Sequence, residues 1–139
     1  MNNNTDIKVS YPLSKSDSDW REELTPAQYD VLRRKGTEPP FSGRYAFEKA
    51  DGTYRCAACG TELFSSEAKF DSGTGWPSFT EPADRANVVL SDDFSHGMHR
   101  VEVTCAACGG HLGHVFDDGP GNSGERFCIN SCSLELQER

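Results

Sequence analysis

Residues 1 to 19 show no apolar period and are rich in Asn, Ser, Asp and Lys, which predicts a flexible lead-in. Trp20 is the first apolar anchor. The run Leu24-Thr25-Pro26-Ala27-Gln28-Tyr29 then carries the signals of a helix start: Thr25 as cap, Pro26 at the first helical position and Gln28 closing a capping box. Leu24 and Tyr29 are placed to pack across that cap. Gly36 suits the exit, so the predicted helix covers residues 26–35, and Arg33, Arg34 and Lys35 complement the negative end of its dipole.

From Glu38-Pro39-Pro40 onward the pattern changes to short β-type segments punctuated by Gly, Pro, Asp and Asn. Strands are predicted at residues 44–47, 53–55, 63–64, 86–90, 99–104, 115–116, 126–130 and 134–136, with Asp51-Gly52 as a tight turn between the first two. The sum is a mainly β, antiparallel domain over residues 20–139 with a short N-terminal helical arm, preceded by the lead-in of residues 1–19. In the strand near the C-terminus, alternation places Arg126, Cys128 and Asn130 on one face and Phe127 and Ile129 on the other. A guanidinium beside the Cys128 thiol would favour the thiolate, and the Asn130 amide can hold a polar substrate group. The same segment also reads as a strand with a buried structural cysteine.

A chain of 139 residues buries roughly two-thirds of its unfolded surface, enough for a core that does not need disulfides. Its six cysteines therefore call for another explanation. MNNNTDIKVS lacks a basic start followed by an apolar run, and no stretch approaches the ~20 apolar residues of a membrane span. The expected compartment is the reducing cytoplasm, where paired cysteines serve as metal ligands or redox groups. A net charge of −8 opposes binding to nucleic acid or an anionic membrane and leaves a small or peptide-like partner.

Cys56-Ala57-Ala58-Cys59-Gly60 recurs letter for letter as Cys105-Ala106-Ala107-Cys108-Gly109. Two such turns supply the four soft ligands of a closed tetrahedral zinc site, here spanning 45 intervening residues. With every position taken by sulfur, the zinc is structural. A redox pair or two disulfides are the competing readings; matched duplication favours the metal.

Removing those ligands leaves Cys128 and Cys132 as free thiols. His111 and His114 lie in the glycine-rich run Gly110-His111-Leu112-Gly113-His114, where imidazoles can move protons near neutral pH, though paired histidines are also common as structural or exposed residues. The loop Ser72-Gly73-Thr74-Gly75-Trp76-Pro77-Ser78-Phe79 can offer an aromatic wall to an apolar group, or simply a core Trp in a tight loop. Glu125-Arg126 reads as an ordinary ion pair at a strand end or as part of the same constellation.

These motifs, Cys56-x-x-Cys59, Ser72 through Phe79, Cys105-x-x-Cys108, His111-Leu-Gly-His114-Val-Phe-Asp and Arg126-Phe-Cys128-Ile-Asn130-Ser, resemble in order and approximate spacing the methionine-R-sulfoxide reductase family, type B. The likeness runs from about Trp20 to the end. It implies two antiparallel sheets packed as a small sandwich or tent-like barrel, clipped by one structural zinc. It further implies that Cys128 attacks the sulfoxide sulfur, that His111, His114 and Asn130 face the sulfoxide oxygen, and that Arg126 assists the thiolate. Trp76 corresponds to the indole against which the substrate methyl packs, and Phe79, which flanks it in the loop, is read as substrate-binding with it. The implied partners are an oxidised protein or peptide and a dithiol such as thioredoxin, acting on a monomer.

Many members of that family carry a resolving cysteine where this chain has Thr74, so direct reduction of a Cys128 sulfenic acid by an external dithiol is expected. Cys132 can resolve only if a turn at Ser131 shortens the ~13 Å that four strand residues span. Two other functions compete: a zinc-stapled protein-binding module without catalysis, and a cysteine hydrolase built on Cys128, His114 and Asp117.

Overall fold

The protein is described by a computed structural model over residues 11–139, so the first ten residues of the expected lead-in lie outside the described residues. Order begins before Trp20. Ser16 accepts a hydrogen bond from the Asp19 N–H and caps a helix the sequence reading did not assign, α1 (Asp17–Glu23), which buries Trp20. The second helix, α2 (Pro26–Arg34), has the expected capping box: Thr25 Oγ1 accepts from Gln28 N at 3.1 Å and Gln28 Oε1 accepts from Thr25 N at 3.0 Å. It ends at Lys35, which takes the left-handed conformation (φ 60°), and buries Val31 and Leu32.

Nine strands follow, β1 (Gly52–Cys56), β2 (Glu62–Ser65), β3 (Lys69–Phe70), β4 (Ser78–Phe79), β5 (Val88–Asp93), β6 (Arg100–Cys105), β7 (His111–Phe116), β8 (Arg126–Ile129) and β9 (Leu134–Glu138). They form two antiparallel sheets, β2-β1-β9 and β3-β4-β8-β7-β6-β5. The sandwich expectation stands, but the barrel does not close: the larger sheet runs open from β3 to β5.

Residues 44–47 are not a strand, and Asp51-Gly52 is not a hairpin turn. Local turn bonds, Ala46 N to Gly43 O and Glu48 N to Tyr45 O, occupy the first segment's backbone. Tyr45 is buried through tertiary contacts, with its ring edge-on to Tyr54 and its hydroxyl accepting from Leu136 N at 3.0 Å. Gly52 lies within β1, paired with Glu138, where a Cβ would come within 2.2 Å of the Gln137 carbonyl oxygen. Its small size serves the approach of β9, not a turn.

Phe64, Phe79, Phe127, Tyr54, Leu112, Ile129 and Leu134 fill the core, with Trp20, Leu24 and Leu32 packed on it from the helices. Phe79, expected on the substrate side, is fully buried and stacks on Phe64 with ring centroids 4.4 Å apart. No helix among the described residues is long and apolar enough to cross a membrane. Replacing Phe79 by Ala would leave a ring-sized cavity, and chemical denaturation of Phe79→Ala is expected to show a loss of about 3–5 kcal/mol in unfolding free energy.

Candidate active site

Strand β8 lies between β4 and β7, and its register sets Cys128 opposite both Ser78 and His114. Directly paired residues project to the same side of a sheet, so Cys128 and His114 share a face while Phe127, opposite Phe79 and Val115, points to the core. On that face Cys128, His114, Asn130, Arg126, Trp76, Thr74, Thr37, Arg100, Phe116 and the Gly113 backbone line one cavity of about 180 Å³. A Cβ at Gly113 would stand 2.0 Å from the Cys128 carbonyl oxygen, so the approach of β8 to β7 requires glycine there.

The structure gathers most of the expected residues here and sets others apart. His111 is buried behind the wall, its ring 5.4 Å from that of His114. Three residues apart on a regular strand, these side chains would face opposite ways. A bulge corrects the parity: partners pass from Val103–Gly113 to Thr104–His111, so Leu112 is the extra residue. Phe79 is a core residue, as described above. Cys132 sits on the short 3-10 turn Ser131–Ser133, the turn the sequence reading required, but it lines a separate groove with Thr25, Ser42, Arg44 and Glu135. Burial, then the nearby Glu38 carboxylate, pushes its thiol up to about 11.

Each imidazole is held by a carboxylate. His114 Nε2 lies 2.8 Å from Asp93 Oδ2, and His111 Nδ1 lies 2.7 Å from Glu102 Oε2. Lys35 bridges the two acids, at 3.5 Å from Asp93 Oδ1 and 3.3 Å from Glu102 Oε1, while Arg100 lies 3.6 Å from Asp93 Oδ2. The His114 hydrogen bond, then those from Ser95, hold Asp93 far below the usual carboxylate range. Burial lowers His114 from its ordinary value more than Asp93 raises it, so the ring is neutral at pH 7 and donates Nε2–H to the acid. Because its partner is Asp93, the hydrolase triad through Asp117 does not form. Asp117 lines a different groove.

Arg126 does not tip Cys128 to the thiolate. Its Nε donates to Asp118 Oδ1 at 2.8 Å and its guanidinium covers the Phe116 ring at 4.6 Å. Burial raises the Cys128 thiol; Arg126 and the Thr74 hydroxyl oppose that rise without overcoming it. The free protein therefore holds a protonated thiol beside a neutral imidazole.

The Asn130 amide is largely engaged by backbone. Its Nδ2 donates to the Leu112 carbonyl at 3.0 Å, the same oxygen that accepts Asn130 N at 2.9 Å, and its Oδ1 accepts from Glu38 N at 3.0 Å. Trp76 Nε1 donates to the Glu38 carbonyl at 2.9 Å, which fixes the indole at the cavity wall. Sequence reading missed Glu38, Thr37, Arg100, Asp93, Glu102 and Lys35 as parts of this constellation. Only Glu38 left a local sign, as a carboxylate fixed ahead of two prolines.

Away from the cavity the two repeated turns meet. The four sulfurs of Cys56, Cys59, Cys105 and Cys108 all lie within 4.8 Å of one another, with Cys56–Cys108 at 3.7 Å and Cys59–Cys105 at 3.6 Å. A tetrahedron with metal–sulfur bonds of about 2.3 Å has edges of about 3.8 Å, so the donor set fits a metal. Gly60 (φ 82°) and Gly109 (φ 78°) close the turns in the left-handed region.

Residues 24–138 match the SelR domain. Over 135 residues the chain is 60% identical to a peptide methionine sulfoxide reductase (MsrB) of Bradyrhizobium diazoefficiens, a match covering 97% of this chain and 94% of that protein. A protein of the same name from Leptospira interrogans is 55% identical over 130 residues, covering 94% of this chain and 99% of its own. One from Methanosarcina barkeri is 56% identical over 125 residues, covering 90% and 88%.

The direction of the Cys128 shift has a kinetic consequence. Alkylation of Cys128 by iodoacetamide, followed by peptide mass mapping, is expected to be slower at pH 7.5 than that of an unstructured cysteine peptide. Its rate should climb about tenfold per pH unit until the thiolate saturates above pH ~9. Arg126→Met should move that saturation point higher still, and a wild-type plateau below pH 8 would contradict the assignment.

Proposed function

Because the chain belongs to the SelR domain family, we propose that it reduces the R epimer of methionine sulfoxide in oxidised peptides and proteins, with Cys128 as nucleophile. The observation that carries this reading is a thiol set against an indole wall, Cys128 with Trp76, in one small cavity with His114. The methyl group packs on Trp76 and the sulfoxide oxygen turns toward His114. The S epimer would exchange these two, placing a polar oxygen against the indole without a partner.

The protonation states support a self-contained first step. Cys128 sulfur bonds to the sulfoxide oxygen's sulfur centre as the thiol proton passes to that oxygen; the oxygen then leaves on Cys128. The balance is thiol plus sulfoxide giving cysteine sulfenic acid plus methionine, with no outside proton or electron. His114, backed by Asp93, can carry the proton between the two atoms, and His111 stands behind it with an unpartnered Nε2.

A dithiol such as thioredoxin then reduces the sulfenic acid, becoming a disulfide and releasing water. Thr74 lines the cavity beside Cys128 and cannot form a disulfide, and Cys132 opens on another groove, so both features support direct external reduction. Cys56, Cys59, Cys105 and Cys108 would hold one structural zinc, consistent with their sulfur-only, closed donor set. Free thiols suit the reducing cytoplasm.

With dithiothreitol as reductant, separately prepared epimers of a peptide methionine sulfoxide test the reaction. Turnover of R but not S, abolished in Cys128→Ser, is the expected result; no turnover of either by folded, metal-loaded protein would refute it. Zinc should be present at one equivalent by elemental analysis. Its removal by a strong chelator under reducing conditions should lower the melting temperature by many degrees, as expected when metal binding contributes folding free energy.

A further inference from the structure

The two groups that shape the cavity's sides, Trp76 and Asn130, are both bonded to one residue outside the strands. Glu38 N–H donates to Asn130 Oδ1 at 3.0 Å, and the Glu38 carbonyl accepts from Trp76 Nε1 at 2.9 Å. Pro39 follows, restricting Glu38 to extended backbone. The residue itself is only 5% exposed. Its carboxylate reaches past the turn: Oε1 accepts from Cys132 N at 2.9 Å, at the chain segment just after β8. Oε2 has no hydrogen-bond partner and lies above Gly43, where a Cβ would come within 2.4 Å of it.

We propose that Glu38 is a positioning residue: its carboxylate ties the 37–40 turn to the Cys132 N–H, and that tie fixes both Trp76 and Asn130 for the substrate. This rests on the reading of the cavity as a methionine sulfoxide site. A half-satisfied buried carboxylate is costly, and an apolar side chain would fill the space without that cost. Its charge also works against ionisation of Cys128 and Cys132. Electrostatic help to the nucleophile is therefore not its contribution. What remains is reach: the side chain is long enough to bridge the turn to residue 132, and its backbone meets the two cavity groups directly.

Reach and charge separate in two conservative variants. Glu38→Gln keeps the length and an acceptor oxygen for Cys132 N; Glu38→Asp keeps the charge but is one methylene too short. With R-methionine sulfoxide peptide and dithiothreitol, Glu38→Gln is expected within about threefold of wild type in kcat/KM. Glu38→Asp should fall roughly 10–100-fold, chiefly through KM, as misplacement of binding groups predicts. Acrylamide quenching gives a second readout, because Trp20 is 1% exposed whereas Trp76 is half-buried and supplies the more accessible indole. Quenching should rise in Glu38→Asp and not in Glu38→Gln, with thermal melts showing both variants folded.

Equal kcat/KM and quenching in wild type and Glu38→Asp would overturn the positioning role. So would a Glu38→Gln variant that is folded yet as impaired as Glu38→Asp, since reach and an acceptor oxygen would then not be sufficient. A wild-type protein inactive on the R epimer would instead refute the proposed reaction, leaving the quenching comparison to judge the tie between Glu38 and Trp76.

Discussion

Strand β8 is hydrogen bonded along both edges, and the site depends on the register of those two ladders. Phe127 and Ile129, both fully buried, hold that register from the core side. A slip of one residue would bring Phe127 to the cavity and bury Cys128 among Phe64 and Phe79. The close approach at Gly113 allows no side chain between β7 and β8, so the ladder has little room to shift. The same core contacts that stabilise the fold thus set Cys128 against His114, and hydrophobic packing decides the chemistry on the opposite face.

Around that face burial, against the pull of the nearest charges, keeps the reacting groups neutral at rest. Asp93 and Glu102 come from adjacent strands, and Lys35 lies between them at the left-handed end of α2. The helical arm thereby supplies a cation to the acids that orient the two imidazoles. Burial outweighs the pull of Asp93 on His114 and of Arg126 on Cys128: His114 loses its proton and Cys128 keeps its own. The thiol therefore carries the one proton that the proposed first step transfers.

What could be read from the sequence was what depends on near neighbours. The capping box at Thr25 and Gln28, the alternation from Arg126 to Asn130 and the paired cysteine turns are all set within a few residues, and each took its expected form. The misreadings have tertiary causes. Residues 44–47 look like a strand because Tyr45 is apolar and buried, yet it is buried against Tyr54 and Ser131, not by strand pairing. The bulge at Leu112 depends on which residue of β6 lies opposite, so the sequence could not say that His111 and His114 would share a face. Arg126 favours the Cys128 thiolate, as its place beside the thiol suggested, but burial is a property of the folded surroundings and it dominates.

The cysteine cluster and the cavity are separate sites joined by one short path. The Cys105–Cys108 turn connects β6 to β7, closed by Cys105 N donating to Gly110 O at 2.9 Å. The bulged Leu112 follows within four residues of Cys108, and its carbonyl receives both Asn130 donors. A metal holding that turn would also restrain the start of β7, just ahead of the bulge. If the turn loosened by one residue, the bulge could migrate and His111 would rotate away from His114, while Asn130 would lose the carbonyl that orients it. A closed sulfur site has no open coordination position for substrate. Any hold it has on the cavity would run through the β7 backbone, which pairs with the strand that carries Cys128.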